Sequence, residues 1–232
     1  SLDWQGRPYS QESGPAAHPN SRFTVSSKQC ASYSQEAENP KGVPISAIIF
    51  GGRRPSLIPL VYEAKSWSHG VMMGAAMSSK TTAAATGKVG VLRNDPMAMK
   101  PFCGYHFGHY WKHWLSFNQR SNNLPKVFHV NWFRQDSQGN FMWPGFGENI
   151  RVLEWIIERS KGKGEAVRTP IGFIPKTKSI NTEDLPLEDS TMKELCDVHP
   201  KGWEEELNHI EGFWKNYDPH VPEELKQELD II

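Results

Sequence analysis

The sequence predicts an α/β fold, with a mixed sheet and flanking helices. Three short runs rich in β-branched and aromatic residues have the length of strands, namely 44–50 (PISAIIF), 126–133 (KVFHVNWF) and 170–175 (PIGFIP). Apolar residues recur at helical spacing in 105–119, 150–159 and a helical tail over 186–232. Since no repeat and no clear linker separates these segments, we expect residues 1–232 to form one domain.

The composition excludes several classes of partner. Lys and Arg number 26, as do Asp and Glu, so the chain is neutral. A neutral chain has no general attraction to nucleic acid or to an anionic membrane, and no run approaches the ~20 apolar residues of a membrane span. The three cysteines, Cys30, Cys103 and Cys196, are widely spaced. This predicts reduced thiols and an intracellular protein.

The first 44 residues are rich in Pro, Ser, Gly and Asn and predict an extended loop. Within it, Asn20-Ser21-Arg22 lies in the sequence HPNSRF. The guanidinium fork of an arginine is well suited to a carboxylate or a phosphate. The alternative is a surface loop with a solvated arginine.

A second candidate site follows the first predicted strand. The run 44–50 leads directly into Gly51-Gly52-Arg53-Arg54-Pro55. Ligand sites of α/β folds usually lie at strand ends, and two arginines there would attract an anion. The turn is not a Walker loop, because GxxxxGK[ST] is absent. The alternative is a turn with two exposed arginines.

Residues 74–88 consist largely of Gly, Ala, Ser and Thr. Such small side chains cannot form a core of their own. The segment predicts either a short helix or a mobile loop that closes over a site.

The predicted helix 105–119 carries His106, His109 and His113 at spacings of three and four. Such spacing can place metal ligands on one helix face. No acidic or cysteine ligand accompanies these histidines, so we expect no metal site here.

The aromatic stretch Asn131–Arg151 allows two interpretations. It contains Phe133, Phe141 and Phe146 around a polar turn at 136–140, and it leads into a helix near Asn149. One interpretation is a hairpin whose aromatic residues are core. The other is a slot for a purine ring, in which phenylalanines stack on the base and the Asn149 amide reads its edge.

The helical tail carries Trp203, Leu207, Ile210 and Trp214 at helical spacing. The acidic run 204–206 is interpreted as the first turn of this helix, where the dipole favours carboxylates.

Five motifs in order closely resemble those of the GTP-dependent phosphoenolpyruvate carboxykinases: HPNSRF, IIFGGRRP, GAAM…TTAAA, DPMAMKPF and HVNWFR…FMWPGFGEN. The resemblance is collinear and covers most of residues 18–175. It implies the C-terminal, nucleotide-binding part of the carboxykinase fold. It also implies the gluconeogenic reaction of oxaloacetate and GTP to phosphoenolpyruvate, GDP and CO2. A catalytic Mn2+ and a second Mg2+ or Mn2+ bound with GTP are implied as well.

The resemblance assigns roles to particular residues. Asn20, Ser21 and Arg22 resemble the substrate-binding loop, with Arg22 also reaching the γ-phosphate. Arg53 resembles the arginine that contacts the nucleotide phosphates, so Arg22 and Arg53 are the candidate catalytic residues. The implied guanine site consists of Phe133, Phe141, Phe146, Gly147, Glu148 and Asn149.

The small-residue segment resembles the lid of the family, over about 78–90. Such a lid shields the enolate from water. Its implied residues are Ser79, Thr82, Ala83, Ala84, Ala85 and Gly87. The lid begins Met77-Ser78-Ser79-Lys80, where the family has Met-Arg-Ser-Glu. An arginine is therefore lost and an acid becomes a base, which affects the contacts expected of the closed lid.

Other parts of the family pattern are missing from this chain. They are the phosphate-binding loop with its reactive cysteine, the Lys, His and Asp ligands of Mn2+, and a mobile substrate loop. We therefore expect the C-terminal part of a longer enzyme, inactive or nearly so by itself. The parent is expected to be monomeric and cytoplasmic, with a mitochondrial location as the alternative. The competing functions are a non-catalytic guanine-nucleotide-binding module and, disfavoured by the neutral charge, single-strand RNA binding.

Overall fold

The computed structural model describes residues 1–3, 5–17, 21, 24–82 and 88–232. They fall into two compact units. The first comprises Ser1–Pro44 and Thr81–Val91, and the second comprises Ile45–Lys80 and Leu92–Ile232. The interpretation of residues 1–232 as one domain of a longer enzyme stays a prediction.

The N-terminal part of the first unit is mainly loop. Its described residues form three single-turn 3-10 helices, Gln11–Ser13, Ser27–Gln29 and Gln35–Glu38. An isolated bridge pairs Leu2 with Pro8. Most of these residues are exposed, as the Pro- and Ser-rich composition predicts.

The second unit contains the strands and the α-helices. The strands are β1 Ala47–Gly51, β2 Val61–Glu63, β3 Ser78–Lys80, β4 Leu92–Asn94, β5 Lys126–Val130, β6 Ala166–Thr169 and β7 Gly172–Pro175. The helices are α1 Trp67–Ala75, α2 Phe107–Leu115, α3 Asn149–Ser160, α4 Asp189–Leu195, α5 Pro200–Trp214 and α6 Glu223–Asp230.

Five strands form one sheet in the order β1-β5-β2-β7-β6, and β3 and β4 form a separate antiparallel ribbon. Strands β1 and β5 are parallel, whereas the other neighbours in the large sheet are antiparallel. The sheet is therefore mixed, and the predicted fold class is confirmed.

Helices cover both faces of the sheet. Successive side chains of a strand point to opposite faces, so neighbouring residues of β5 show which helices pack on each face. On β5, Val127 belongs to a core that includes residues of α1, α2, α5 and α6. Its neighbour Phe128 belongs to a second core with residues of α3 and α4. Helix α1 lies so close to the sheet that a Cβ atom on Gly70 would be 2.5 Å from Val127.

The tail contains α4, α5 and α6. Helix α5 begins at Pro200, so residues 204–206 lie beyond its first turn, and the dipole interpretation was wrong. Glu206 instead lies on the buried face of α5 with Trp203 and Ile210. None of the helices in the described part of the chain is long and apolar enough to cross a membrane.

Candidate functional site

The two candidate segments of the second unit meet at one edge of the sheet. Because β1 and β5 are parallel, their carboxyl ends lie side by side, with Gly51 opposite Val130. The turn that contains Arg53 and Arg54, called the arginine turn below, follows β1. The aromatic stretch Asn131–Arg151 follows β5. This is the edge at which open α/β sheets usually bind ligands.

Asn131 joins the two segments. Its side chain is fully buried, and its Oδ1 accepts from the backbone N–H of Arg54 and of Phe133, both at 3.2 Å. Its Nδ2 donates to the carbonyls of Arg54 and Ile58, at 2.9 and 3.0 Å. Four hydrogen bonds satisfy this amide and hold the arginine turn against the start of the aromatic stretch.

Arg53 is half-buried, and other described residues of the chain bind its backbone N–H and its Nε but not its terminal nitrogens. Its Nε donates to the carbonyl of Lys80 at 3.0 Å, and its backbone N–H donates to Ser79 Oγ at 3.0 Å. Within the described residues, no side chain forms an ion pair with its guanidinium, and no group accepts from its two terminal nitrogens. These nitrogens remain as donors for a ligand.

Arg54, by contrast, is a structural residue. It is 6% exposed, and its two terminal nitrogens bind the carboxylate of Glu206 at 2.6 and 2.7 Å. One of them also donates to Ser78 Oγ at 2.6 Å. The alternative of two exposed arginines was therefore wrong, since one is buried and the other half-buried.

The start of the proposed lid is attached to the arginine turn. Strand β3 contains Ser79, and the backbone N–H of Lys80 donates to the carbonyl of Arg53 at 2.9 Å. Thr82 is half-buried, whereas Ala83, Ala84, Ala85 and Gly87 lie outside the described residues. The lid assignment stays a prediction.

The polar turn within the aromatic stretch forms as the hairpin interpretation requires. Asp136 Oδ1 accepts from the backbone N–H groups of Gln138 and Asn140, at 2.8 and 2.9 Å. These hydrogen bonds lower the pKa of the Asp136 carboxyl. A single bridge, Gln135 to Phe141, closes the turn.

The aromatic residues of the stretch divide into core and surface. Trp143 is 1% exposed and belongs to the core, but Phe141 and Phe146 are 60% and 99% exposed. Phe133 is half-buried, with its ring edge-on to that of Phe141 at a centroid separation of 5.8 Å. The expectation that the aromatics are core holds for the tryptophan and fails for these phenylalanines, whose exposure suits a ligand.

Asn149 is the first residue of α3 and is half-buried. Its Oδ1 accepts from the indole N–H of Trp143 at 2.9 Å. The adjacent Gly147 is exposed, and Glu148 forms an ion pair with Arg151 at 2.6 Å. The structure brings Phe133 and Phe141 together, whereas Phe146 stacks on no other ring of the described residues.

The structure describes one residue of the predicted substrate loop 20–22. Asn20 and Arg22 lie outside the described residues, and Ser21 is exposed. Their assignment stays a prediction.

The described residues do not fit a metal centre, since no group of three or more His, Cys, Asp or Glu side chains could hold an ion. His113 of the spaced histidines packs against Phe117, at 5.3 Å between ring centroids. His106 and His109 lie instead near His220, with centroids 4.8 and 5.2 Å from it.

Comparison with known proteins identifies the family. The family described as the phosphoenolpyruvate carboxykinase C-terminal P-loop domain matches residues 1–232. The chain belongs to this family.

Curated relatives are about half identical to the chain but are much longer. A GTP phosphoenolpyruvate carboxykinase of Chlamydia pneumoniae is 52% identical over 229 residues, which are 98% of this chain and 38% of that protein. Proteins of the same name from Chlamydia trachomatis and Thermoplasma volcanium are each 49% identical, over 100% and 99% of the chain and 39% and 38% of their own lengths. The chain therefore spans less than two fifths of these relatives.

Proposed function

We propose that the chain is the C-terminal, nucleotide-binding part of a GTP-dependent phosphoenolpyruvate carboxykinase. This lyase would convert oxaloacetate and GTP to phosphoenolpyruvate, GDP and CO2. The observation that carries the proposal is the junction of β1 and β5. It holds the uncommitted nitrogens of Arg53 near the start of a stretch with exposed phenylalanines and the Asn149 amide. A cation for phosphates and flat rings for a base are what a nucleoside triphosphate requires.

Arg53 would bind the nucleotide phosphates. Phosphoryl transfer depends mainly on positioning and on neutralisation of charge, which a fixed guanidinium provides. Its Nε bond to the Lys80 carbonyl orients the fork, leaving the terminal nitrogens for phosphate oxygens. Arg22, with Asn20 and Ser21, would bind the carboxylate or phosphoryl group of the substrate.

Phe133, Phe141 and Phe146 would stack on guanine, with Gly147, Glu148 and Asn149 at its edge. The lid over 78–90, including Ser79 and Thr82, would exclude water from the enolate. Because Ser79 and Lys80 bond to Arg53, we propose that lid position and phosphate binding are linked through β3.

We propose that the catalytic metal ion is bound by other parts of the enzyme. The resemblance implies a catalytic Mn2+ and a Mg2+ or Mn2+ bound with GTP, and the described residues hold no suitable cluster. We place the Mn2+ ligands in the part of the relatives that this chain does not span. The chain alone should then make no phosphoenolpyruvate from oxaloacetate, GTP and Mn2+, and turnover by the 232 residues alone would refute this division of labour.

Variants of the full-length enzyme test the site. Arg53→Ala should lower kcat roughly 100-fold, the effect of losing one charge-stabilising donor, while the GTP-to-ATP preference stays. Asn149→Ala should reduce that preference about tenfold, because one hydrogen bond to the base edge is lost. An unchanged preference in Asn149→Ala rejects the guanine-pocket assignment.

A non-catalytic guanine-nucleotide-binding module remains the second candidate for the chain by itself, because its described residues offer base and phosphate contacts without a metal cluster. Titration of the chain with GTP and ATP, followed by tryptophan fluorescence, distinguishes the cases. A response to GTP alone supports a self-sufficient base site. No response to either nucleotide means that the rest of the enzyme completes it.

We propose a monomeric, cytoplasmic parent enzyme. Light scattering of the full-length protein checks the first statement, and cell fractionation checks the second. A mitochondrial fraction would favour the alternative location.

A further inference from the structure

The indole of Trp143 lies directly behind the candidate base-reading residue. Trp143 is 1% exposed, and its Nε1 donates to Asn149 Oδ1 at 2.9 Å. A buried indole N–H without a partner is costly, so this hydrogen bond is strongly favoured.

The chemistry of the indole dictates which way the amide faces. An indole nitrogen is only ever a donor, whereas an asparagine amide has an acceptor oxygen at one end and a donor NH2 at the other. Only the oxygen of Asn149 can therefore face Trp143. Nδ2 is turned to the other side, and no group of the described residues accepts from it.

We propose that Trp143 is a positioning residue that selects 6-oxopurines by locking the Asn149 amide with its donor outward. An oxygen at purine position 6 is an acceptor, whereas an amino group there is a donor. The outward Nδ2 pairs with the oxygen of guanine or hypoxanthine and faces donor against donor with adenine. If the indole N–H were absent, the amide could turn over and present its oxygen to the amino group.

The inference rests on the proposed guanine-nucleotide site, which it deepens. The appropriate measurement is the dissociation constant of GDP, IDP and ADP for the full-length enzyme, by isothermal titration calorimetry. GDP and IDP share the 6-oxo group and differ only in the 2-amino group. IDP and ADP both lack that amino group and differ in the edge around position 6, so the IDP-to-ADP preference isolates the effect of that edge.

Trp143→Phe keeps an aromatic ring in the core and removes the N–H. We expect the GDP-to-ADP and IDP-to-ADP preferences each to fall about tenfold, the effect of one hydrogen bond. Trp132→Phe is the matched control, since it makes the same change in a half-buried tryptophan whose indole does not bond to Asn149. It should leave both preferences within twofold of the unmodified enzyme.

If Trp143→Phe acted only through lost packing, the binding of all three nucleotides would weaken by the same factor and the preferences would stay unchanged. That result would overturn the proposal. The double variant Trp143→Phe/Asn149→Ala supplies a second criterion. If the indole acts only through the amide, the double variant loses no more preference than Asn149→Ala alone, whereas additive losses contradict the proposal.

A third variant does not depend on removal of a core tryptophan. Asn149→Asp leaves an acceptor toward Trp143 and places a second acceptor outward. Its preference should shift toward ADP, and retention of the full GDP preference would overturn the proposal. If the unmodified enzyme binds GDP and ADP equally, it is the guanine site itself that fails, which separates this outcome from failure of the Trp143 assignment.

Discussion

The buried ion pair between Arg54 and Glu206 offers the sharpest test of how the arginine turn is held. It joins residues 152 positions apart, and less than a tenth of either side chain is exposed. The same guanidinium donates to Ser78 at the start of β3. Glu206→Ala would leave a buried positive charge without its carboxylate.

The magnitude follows from the two charge-assisted hydrogen bonds at 2.6 and 2.7 Å. Removing one partner of a buried pair costs roughly 3–5 kcal/mol, because the remaining charge stays desolvated. Glu206→Gln keeps one acceptor oxygen and loses the charge, so its cost should be about 1.5–3 kcal/mol. Replacing both residues, as in Arg54→Met/Glu206→Leu, should cost far less than Glu206→Ala, since no unpaired charge remains.

Urea unfolding followed by circular dichroism measures these differences, with an unchanged m-value showing that the same surface unfolds. Glu205→Ala is the matched control, because this exposed neighbour on α5 makes no ion pair within the described residues. Its effect should stay within about 0.5 kcal/mol. If Glu206→Ala destabilises no more than this control, the reasoning about the buried pair is wrong.

Two further predictions concern stability. Burial lowers the pKa of His69 and of His129 to about 3, below the ~6.5 of a histidine in the unfolded chain. The unfolded chain therefore binds more protons than the folded one as the pH falls below about 6.5, and the folded protein loses stability over that range. Between pH 7.5 and 5.5 each histidine should cost roughly 1.4 kcal/mol of unfolding free energy in urea titrations, and equal values at the two pH values would contradict the buried, neutral assignment. Gly70→Ala would place its Cβ 2.5 Å from Val127 and should destabilise the protein by about 1–3 kcal/mol. Gly212→Ala on exposed α5 surface meets nothing within 4 Å and should stabilise by up to about 1 kcal/mol, so thermal unfolding must show opposite signs.

Elements with a strong local pattern could be predicted from the sequence. The run 126–133 contains strand β5, and the periodic run 150–159 lies within α3. Strands β2, β3, β4 and β6 were missed, because three- and four-residue strands are specified by their pairing partners and carry little pattern of their own. Glu206 was misplaced for a different reason: the sequence pattern did not show that α5 begins at Pro200, so residues 204–206 were assigned to the first turn.

The burial and the partners of individual side chains were harder to predict than the type of element. Local composition did not distinguish the buried Trp143 from the exposed Phe141, since both belong to one aromatic run. Nor could it distinguish Arg53 from Arg54, which are adjacent. The carboxylate that binds Arg54 belongs to Glu206 in the helical tail. Partners so far apart in the chain produce no recognisable spacing in the sequence.

The order of motifs along the chain was enough to indicate the family and to name Arg53, the three phenylalanines and Asn149 as candidates. Each motif is a short run of neighbouring residues, so it can be recognised from the sequence alone. Only the tertiary structure decided which arginine keeps free donors and which way the Asn149 amide faces. Both depend on hydrogen bonds and on burial. The carboxylate that binds Arg54 comes from Glu206 on α5, and the amide of Asn149 is oriented by the indole N–H of the buried Trp143.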